Sequence, residues 1–159
     1  MPVLLQVVGE SSDPALIEQL EKIYQDAQPE RLKLPVSLQQ KQEQEQRMPL
    51  TPTQFVQAIL DNPTYSFYCA LFNERLIGAV VIGQQDDLWS LSHFCVRKIT
   101  RRRRVGSRLL ELIALQGKEQ QQNLIAAKQD LVAPDHIILQ RMGYQLNEQD
   151  DYYQLTTSA

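Results

Sequence analysis

The spacing of apolar positions along the chain predicts alternating strands and helices. Val3 to Val8 is a short apolar run that predicts a first strand. Asp13-Pro14 is typical of a helix start, because Asp caps a helix and Pro suits its first position. Apolar residues then recur at three- and four-residue spacing as far as Gln28-Pro29. A capping-box pattern at Thr51 to Gln54 predicts a second helix, which ends at Asn62-Pro63.

Beyond this point the period becomes that of strands. Tyr65 to Phe72 and Arg75 to Ile82 predict an antiparallel hairpin with a tight connection at Asn73-Glu74. Gly83 to Asp87 predicts the next turn, and Leu88 to Val96 predicts a third strand. Strict alternation in that strand places four residues on one face: Trp89, Leu91, His93 and Cys95.

The last third of the chain returns to helix and strand in turn. Val105 begins a helix with a broad apolar face, and Asn123 to Lys128 predicts a strand. A helix over Pro134 to Met142 is expected to end at Gly143, and Asp151 to Thr156 predicts a closing strand. The order β-α-α-β-β-β-α-β-α-β predicts an α/β (α+β) fold in which helices flank one central mixed sheet.

Length and composition bound the organisation of this fold. The chain has 159 residues, 43% of them hydrophobic, which predicts one domain over 1–159 with a polar, glutamine-rich loop or insertion over about 36–50. The longest apolar run, Leu76 to Gly83, is about a third of a membrane span. No secretory signal is visible, and two cysteines are too few for a disulfide framework. We therefore expect a cytoplasmic protein with no membrane partner.

Charge is distributed unevenly along the chain. The formal net charge is −3, but residues 97–108, the cationic segment, hold seven basic residues and no acidic one, so the other 147 residues sum to −10. The segment lies where a helix begins, and the helix dipole disfavours each cation there by about 0.3–1 kcal/mol unless an anion binds. A phosphate ligand is therefore expected. The acidic remainder of the chain argues against nucleic acid and favours a compact pyrophosphate.

Arg101-Arg102-Arg103-Arg104-Val105-Gly106, after a strand and before a helix, resembles the Q/R-x-x-G-x-G/A pyrophosphate signature of the GNAT (GCN5-related N-acetyltransferase) superfamily. The resemblance implies a GNAT fold, with a central mixed, mostly antiparallel sheet flanked by helices, and acetyl-CoA as cofactor. It implies that the end of the preceding strand and the loop bind this cofactor. The implied binding residues are Phe94, Cys95, Val96, Thr100, Arg101, Arg102, Arg103, Arg104, Val105, Gly106 and Ser107.

Two positions depart from the superfamily pattern. Arg104 stands where the signature has its first glycine, which would cost about 1–2 kcal/mol if the backbone there is left-handed. Leu139 stands where many members have a tyrosine that acts as general acid, and leucine has no proton to give. These departures weaken acetyl transfer more than cofactor binding.

A narrower resemblance covers about 40 residues. Phe72 to Val80, followed by Val96 to Glu111, is similar to the acetyl-CoA-sensing maturation factors of aspartate 1-decarboxylase, the PanM/PanZ type. These proteins promote self-cleavage of the decarboxylase proenzyme in pantothenate synthesis, so the resemblance implies this proenzyme as a partner. It makes Asn73 and Arg97 the candidate partner contacts. The additional sequence from Arg31 to Asp61 has no assigned role.

The residues themselves leave two functions open, a regulatory acetyl-CoA-binding protein and an N-acetyltransferase, so whether the protein is an enzyme stays undecided. For the second, His93 is a candidate base, and Asp86 and Asp87 could act through water. Cys95 as nucleophile and a tyrosine as acid are weaker alternatives, the tyrosines being Tyr144, Tyr152 and Tyr153. No catalytic residue is assigned, and no metal site is expected from the spacing of His and Cys.

Overall fold

The computed structural model describes residues 3–9, 12–27, 32–35, 50–100, 104–147, 149 and 151–155. Its strands are β1 (Leu4–Val8), β2 (Tyr65–Phe72), β3 (Arg75–Gln85), β4 (Leu88–Val96), β5 (Asn123–Ala127), β6 (Gln145–Asn147) and β7 (Tyr152–Leu155). Its helices are α1 (Pro14–Gln25), α2 (Pro52–Leu60), α3 (Val105–Glu119) and α4 (Ala133–Arg141), with short 3₁₀ turns at Lys98–Thr100 and Lys128–Asp130. The predicted order of elements is confirmed, except that β6 was not expected. The predicted loop over 36–50 falls, apart from Leu50, outside the described residues.

One sheet joins all seven strands in the order β1-β2-β3-β4-β5-β7-β6. Neighbouring strands are antiparallel except for β4 and β5, which are parallel. A parallel pair needs a crossover, and α3 supplies it. This confirms the predicted mixed, mostly antiparallel sheet flanked by helices.

The two predicted helix starts are confirmed at the level of individual hydrogen bonds. The Asp13 carboxylate accepts from the Ala15 amide at 2.9 Å. Thr51 and Gln54 form a reciprocal capping box, with bonds of 3.0 and 3.1 Å. Each cap satisfies amides that the first helical turn leaves unpaired, which explains why α1 and α2 begin at Pro14 and Pro52.

A separate apolar core covers each face of the sheet. On one face α1 and α2 pack on β2, β3 and β4, around the fully buried rings of Tyr24, Phe55 and Phe67. On the other face α3 and α4 pack around Trp89, Leu109 and Leu139. Helices and an apolar core thus cover both faces of the sheet.

Strand β3 is three residues longer than predicted, because Gly83 is a strand residue and not the first residue of a turn. A Cβ at Gly83 would lie 2.8 Å from the Tyr65 ring on the paired strand, so glycine is required by close packing there. The turn is reduced to Asp86-Asp87, with Asp86 at φ 53°. No helix in the described part of the chain is long and apolar enough to cross a membrane.

Candidate functional site

The parallel seam between β4 and β5 opens partway along its length. The two strands pair at only three positions, from Leu88 opposite Asn123 to Ser90 opposite Ile125. Beyond Ser90, β4 continues for six residues toward the cationic segment, with no partner in β5 in the residues described. The two strands thus stop pairing before β4 reaches its exit, which is the end of β4 nearest the cationic segment.

A bulge in β4 lies between Ser90 and the end of the strand. Ala79 of β3 pairs with Cys95 and Val81 pairs with Ser92, so His93 and Phe94 together oppose the single residue Val80. His93 has a left-handed backbone, with φ 56°. Two residues opposite one is the geometry of a β-bulge, which turns every later side chain to the opposite face.

The bulge makes the predicted alternation of β4 wrong beyond Leu91. Trp89 and Leu91 belong to the core under α3, whereas Cys95 belongs to the core under α1. Phe94 and Val96 pack on the α3 side. Of the three residues expected to line the cofactor site, Phe94 and Val96 thus share the face of α3, and Cys95 lies on the other.

The contacts of Cys95 and His93 explain why they face α1. The Cys95 thiol is bonded to the Ile23 carbonyl at 3.3 Å. The His93 ring is 6% exposed, with Nδ1 2.8 Å from Ser92 Oγ and Nε2 bonded to the Lys33 carbonyl. Its centroid is 4.9 Å from that of Phe55. A histidine bonded at both nitrogens and stacked in the core has a clear structural role.

The N-terminus of α3 points its first amides toward the opened end of the seam. Val105 is buried, Gly106 and Ser107 are partly buried, and the first helical bond runs from Arg108 N to Arg104 O at 2.9 Å. The amides ahead of Arg108 have no partner within the helix, which suits them to phosphate oxygens. Thr100 ends the 3₁₀ turn after β4, and Arg101, Arg102 and Arg103 lie outside the described residues.

Two close contacts hold this helix start against the sheet. A Cβ at Gly78 of β3 would lie 3.3 Å from Val105 Cγ1. A Cβ at Gly106 would lie 3.3 Å from Ile138 Cδ1 of α4 and 3.8 Å from Val96 Cγ2. Small residues on both sides let α3 approach β3, β4 and α4 together, so the amides of its first turn have a fixed position.

Arg104, the N-cap of α3, has a left-handed backbone with φ 60° and ψ 23°. The position does therefore require the conformation that the signature glycine provides. The side chain is exposed and makes no capping hydrogen bond. The strain is an energetic penalty of about 1–2 kcal/mol that an arginine carries and a glycine does not.

We expect Arg104→Gly to raise the free energy of unfolding by about 1 kcal/mol, since relief of the left-handed strain exceeds the added entropy of the unfolded glycine. Chemical denaturation measures this difference. Arg104→Ala is the matched control, because alanine removes the same charge but keeps the strain. Equal stabilisation by both substitutions would show that charge repulsion, and not the backbone, is responsible.

The two predicted partner contacts lie at the same end of the sheet. Asn73 is exposed at the tip of the β2–β3 hairpin, where it and Glu74 have φ of 50° and 64°. Arg97 follows β4, and its amide bonds to the Ile77 carbonyl at 2.8 Å, close to that tip. The Arg97 guanidinium also forms an ion pair, with Nε 3.3 Å from Asp26 Oδ2. Asn73 and the exit of β4 thus border one continuous surface.

The catalytic alternatives are not brought together in the described structure. Asp86 and Asp87 lie beyond the far end of β4, a strand that spans about 26 Å from Leu88 to Val96 at 3.3 Å per residue. Leu139 is fully buried. The Tyr153 hydroxyl is bonded to His136 Nδ1 at 2.9 Å. No group of three His, Cys, Asp or Glu in the described residues could hold a metal ion.

The remaining tyrosine candidates differ in burial. Tyr144 is 4% exposed, and burial raises the pKa of its hydroxyl above the ordinary value. Its oxygen has no hydrogen-bond partner within the described part of the molecule. Tyr152 is partly buried on β7. None of the three phenols occupies the position of Leu139, so the acid that the superfamily pattern calls for has no evident replacement.

Sequence reasoning missed the residues of α1 that hold the exit of β4. The Tyr24 hydroxyl donates to the His93 carbonyl at 2.7 Å, and the Asp26 carboxylate accepts from the Lys98 amide at 3.0 Å. Asp26 carried one readable signal, since an acidic residue at the C-terminal end of a helix opposes the helix dipole.

Comparison with solved structures gives the class of this fold. The aminoglycoside 6'-acetyltransferase type Ii is 16% identical, with a TM-score of 0.67 and 98% of each chain covered. The ribosomal-protein-S18-alanine N-acetyltransferase from Escherichia coli is 11% identical, with a TM-score of 0.63 and 98% and 96% covered. The N-acetyl transferase-like protein YhhK from E. coli, solved bound to coenzyme A, is 23% identical, with a TM-score of 0.59 and 98% and 99% covered. The chain has the GNAT fold, as predicted.

A sequence comparison assigns the chain to one family within the GNAT fold. A family model described as the acetyltransferase (GNAT) domain of PanZ matches residues 3–142, so the chain belongs to the PanZ family of GNAT domains. This confirms the predicted family and, for the family, its cofactor acetyl-CoA. The PanD regulatory factor of Salmonella typhimurium is 48% identical over 48 residues, which are 30% of this chain and 38% of that protein. The chain therefore aligns with well under half of this curated relative.

Proposed function

We propose that this protein is a regulatory factor that binds acetyl-CoA and, in that state, promotes self-cleavage of the aspartate 1-decarboxylase proenzyme in pantothenate and CoA synthesis. The family match over residues 3–142 carries the proposal, and the name of the Salmonella relative, PanD regulatory factor, points the same way. We propose the cytoplasm as its location, in keeping with two buried cysteines that form no disulfide within the described residues.

The cofactor site we propose combines the opened seam with the start of α3. The pantetheine arm would lie along β4 beside Phe94 and Val96, whose side chains pack on the α3 side, and Cys95 would contribute through its backbone alone. The pyrophosphate would bind the first amides of α3, from Val105 to Ser107, with the arginines of the cationic segment around it. The exit of β4, the first amides of α3 and the described cations Arg97, Lys98 and Arg104 support this site, since they lie close together along the chain at the same end of the sheet.

The partner surface we propose adjoins that site. Asn73, the Arg97 backbone and the exposed Lys98 lie at the sheet end where the cationic segment begins. Backbone amides supply much of the phosphate binding in such a site, so seven cations exceed what one coenzyme requires. The excess favours an acidic partner surface that docks only when the cofactor is in place.

Acetyl transfer to an amine is supported less well by the same site. A transferase needs an acid for the departing thiolate, and the structure gives Leu139 at full burial. His93 is bonded at both ring nitrogens on the α1 side of the sheet. The geometry favours a protein that holds acetyl-CoA over one that consumes it.

Cleavage of the purified decarboxylase proenzyme tests this function. The proenzyme is incubated with the protein, with or without saturating acetyl-CoA, and the cleaved chains are quantified by mass spectrometry. We expect cleavage to accelerate only when both are present, and acetyl-CoA to remain intact. Asp86→Asn, at the opposite end of the sheet, is the control variant and should behave as wild type. Cleavage that is unchanged by the protein at saturating acetyl-CoA would contradict the proposal.

A further inference from the structure

The last turn of α1 is joined to the exit of β4 by three successive contacts. The Tyr24 hydroxyl donates to the His93 carbonyl, the Cys95 thiol to the Ile23 carbonyl, and the Arg97 guanidinium to Asp26 Oδ2. The three contacts fall at His93, at Cys95 and at Arg97, the residue after β4, so they form a row that follows the chain out of the strand. The row begins at the bulge and ends where the cationic segment starts.

Asp26 ends this row with two bonds from one carboxylate oxygen. Oδ2 accepts from the Lys98 amide at 3.0 Å and from Arg97 Nε at 3.3 Å. The Asp26 side chain is 23% exposed and that of Arg97 is 31% exposed, so water screens the pair only partly. The Lys98 amide opens the 3₁₀ turn that leads from β4 into the loop before Arg104.

The position of Asp26 is otherwise unfavourable. It is the C-cap of α1, where the negative end of the helix dipole disfavours a carboxylate. The Arg97 guanidinium and the Lys98 amide offset that repulsion. A carboxylate at this unfavourable position is explained if the protein needs its bonds to Arg97 and Lys98 at the exit of β4.

We propose that Asp26 is a positioning residue for the cofactor site, because its carboxylate binds the Arg97 guanidinium and the Lys98 amide and so fixes the exit of β4 and the 3₁₀ turn Lys98–Thr100, which precede the proposed phosphate-binding start of α3. This inference rests on the proposed acetyl-CoA site. The inference adds to that site a residue of α1, Asp26, which is remote in sequence from the cationic segment and on which phosphate binding depends.

Whether removal of the Asp26 carboxylate weakens or tightens acetyl-CoA binding distinguishes a positioning role from a purely electrostatic one. Acetyl-CoA is an anion, so removal of a nearby carboxylate should tighten its binding if only charge matters. If Asp26 positions the turn after β4, its removal weakens binding instead, because ordering that turn must then come out of the binding free energy.

Calorimetric titration of Asp26→Asn and Asp26→Ala with acetyl-CoA is the test. We expect the dissociation constant to rise about threefold for Asn, which can still accept from the Lys98 amide, and about tenfold for Ala, which cannot. Asp61→Asn is the matched control, since Asp61 is the C-cap of α2, accepts from Gln57 Nε2 at 2.8 Å, and precedes the far end of β2. Its affinity should equal that of wild type.

Acetyl-pantetheine, which lacks the phosphates, gives the second readout, by chemical-shift titration of the same proteins. A positioning role predicts that the affinity of Asp26→Ala for acetyl-pantetheine stays within twofold of that of wild type. Equal weakening of both ligands would indicate general damage to the fold and overturn the inference, as would unchanged or tighter acetyl-CoA binding. If wild type binds no acetyl-CoA at all, it is the proposed function that fails.

Discussion

Replacing Arg101 and Arg103 together by alanine is expected to weaken acetyl-CoA binding about a hundredfold. Each arginine is expected to make a charge-assisted hydrogen bond to phosphate worth about 1.5 kcal/mol net, and the sum of about 3 kcal/mol corresponds to that factor. Calorimetric titration measures the loss directly. The expectation rests on the signature in the sequence and on the described start of α3, where the amides from Val105 onward face the same end of the sheet.

The control for this double substitution removes the same charge elsewhere. Lys118 is exposed in the last turn of α3, at the end of the helix away from the amides that would bind phosphate. Lys118→Glu lowers the net charge by the same two units and should leave the affinity within twofold of wild type. Similar weakening by both variants would mean that overall charge attracts the cofactor and that the cationic segment forms no specific site. The wild-type affinity should also fall more steeply with salt than that of Arg101→Ala with Arg103→Ala.

Elements whose signals are local were predictable from the sequence. The starts of α1 and α2 depend on capping residues within three positions, Asp13 and the pair Thr51 and Gln54, so the sequence contains the whole signal. The β2–β3 hairpin was equally readable, because Asn73-Glu74 separates two apolar runs. By contrast, β6 has three residues and is a strand only because it pairs with β7. No local period could reveal it.

The parts of the site that the sequence hid depend on long-range contacts. The bulge at His93 is held by the hydroxyl of Tyr24, which is 69 residues earlier in the chain. Alternation alone therefore placed Cys95 on the wrong side of β4. The left-handed backbone at Arg104 could be anticipated only from the resemblance to the pyrophosphate signature, since arginine has no preference for that conformation.

The second large expected effect is a loss of stability on truncation of Phe55, which packs against the bulge residue His93. Phe55 of α2 is fully buried, and its ring centroid lies 4.9 Å from that of His93, 5.0 Å from that of Tyr24 and 6.2 Å from that of Phe67. It fills the space between α1, α2 and the bulged strand. We expect Phe55→Ala to lower the free energy of unfolding by about 3–5 kcal/mol, through lost apolar burial and the cavity that remains.

Chemical denaturation measures that loss, with Leu115→Ala as the matched control. Leu115 is an apolar helix residue that is 56% exposed, so its truncation should change stability by less than about 0.5 kcal/mol. Phe55→Leu should recover much of the loss, since leucine refills part of the cavity. A change below about 1.5 kcal/mol for Phe55→Ala would contradict the tight packing of this core. Because the same ring supports His93, a folded Phe55→Ala protein should also bind acetyl-CoA more weakly than Leu115→Ala, which ties the packing of α2 to the shape of the cofactor strand.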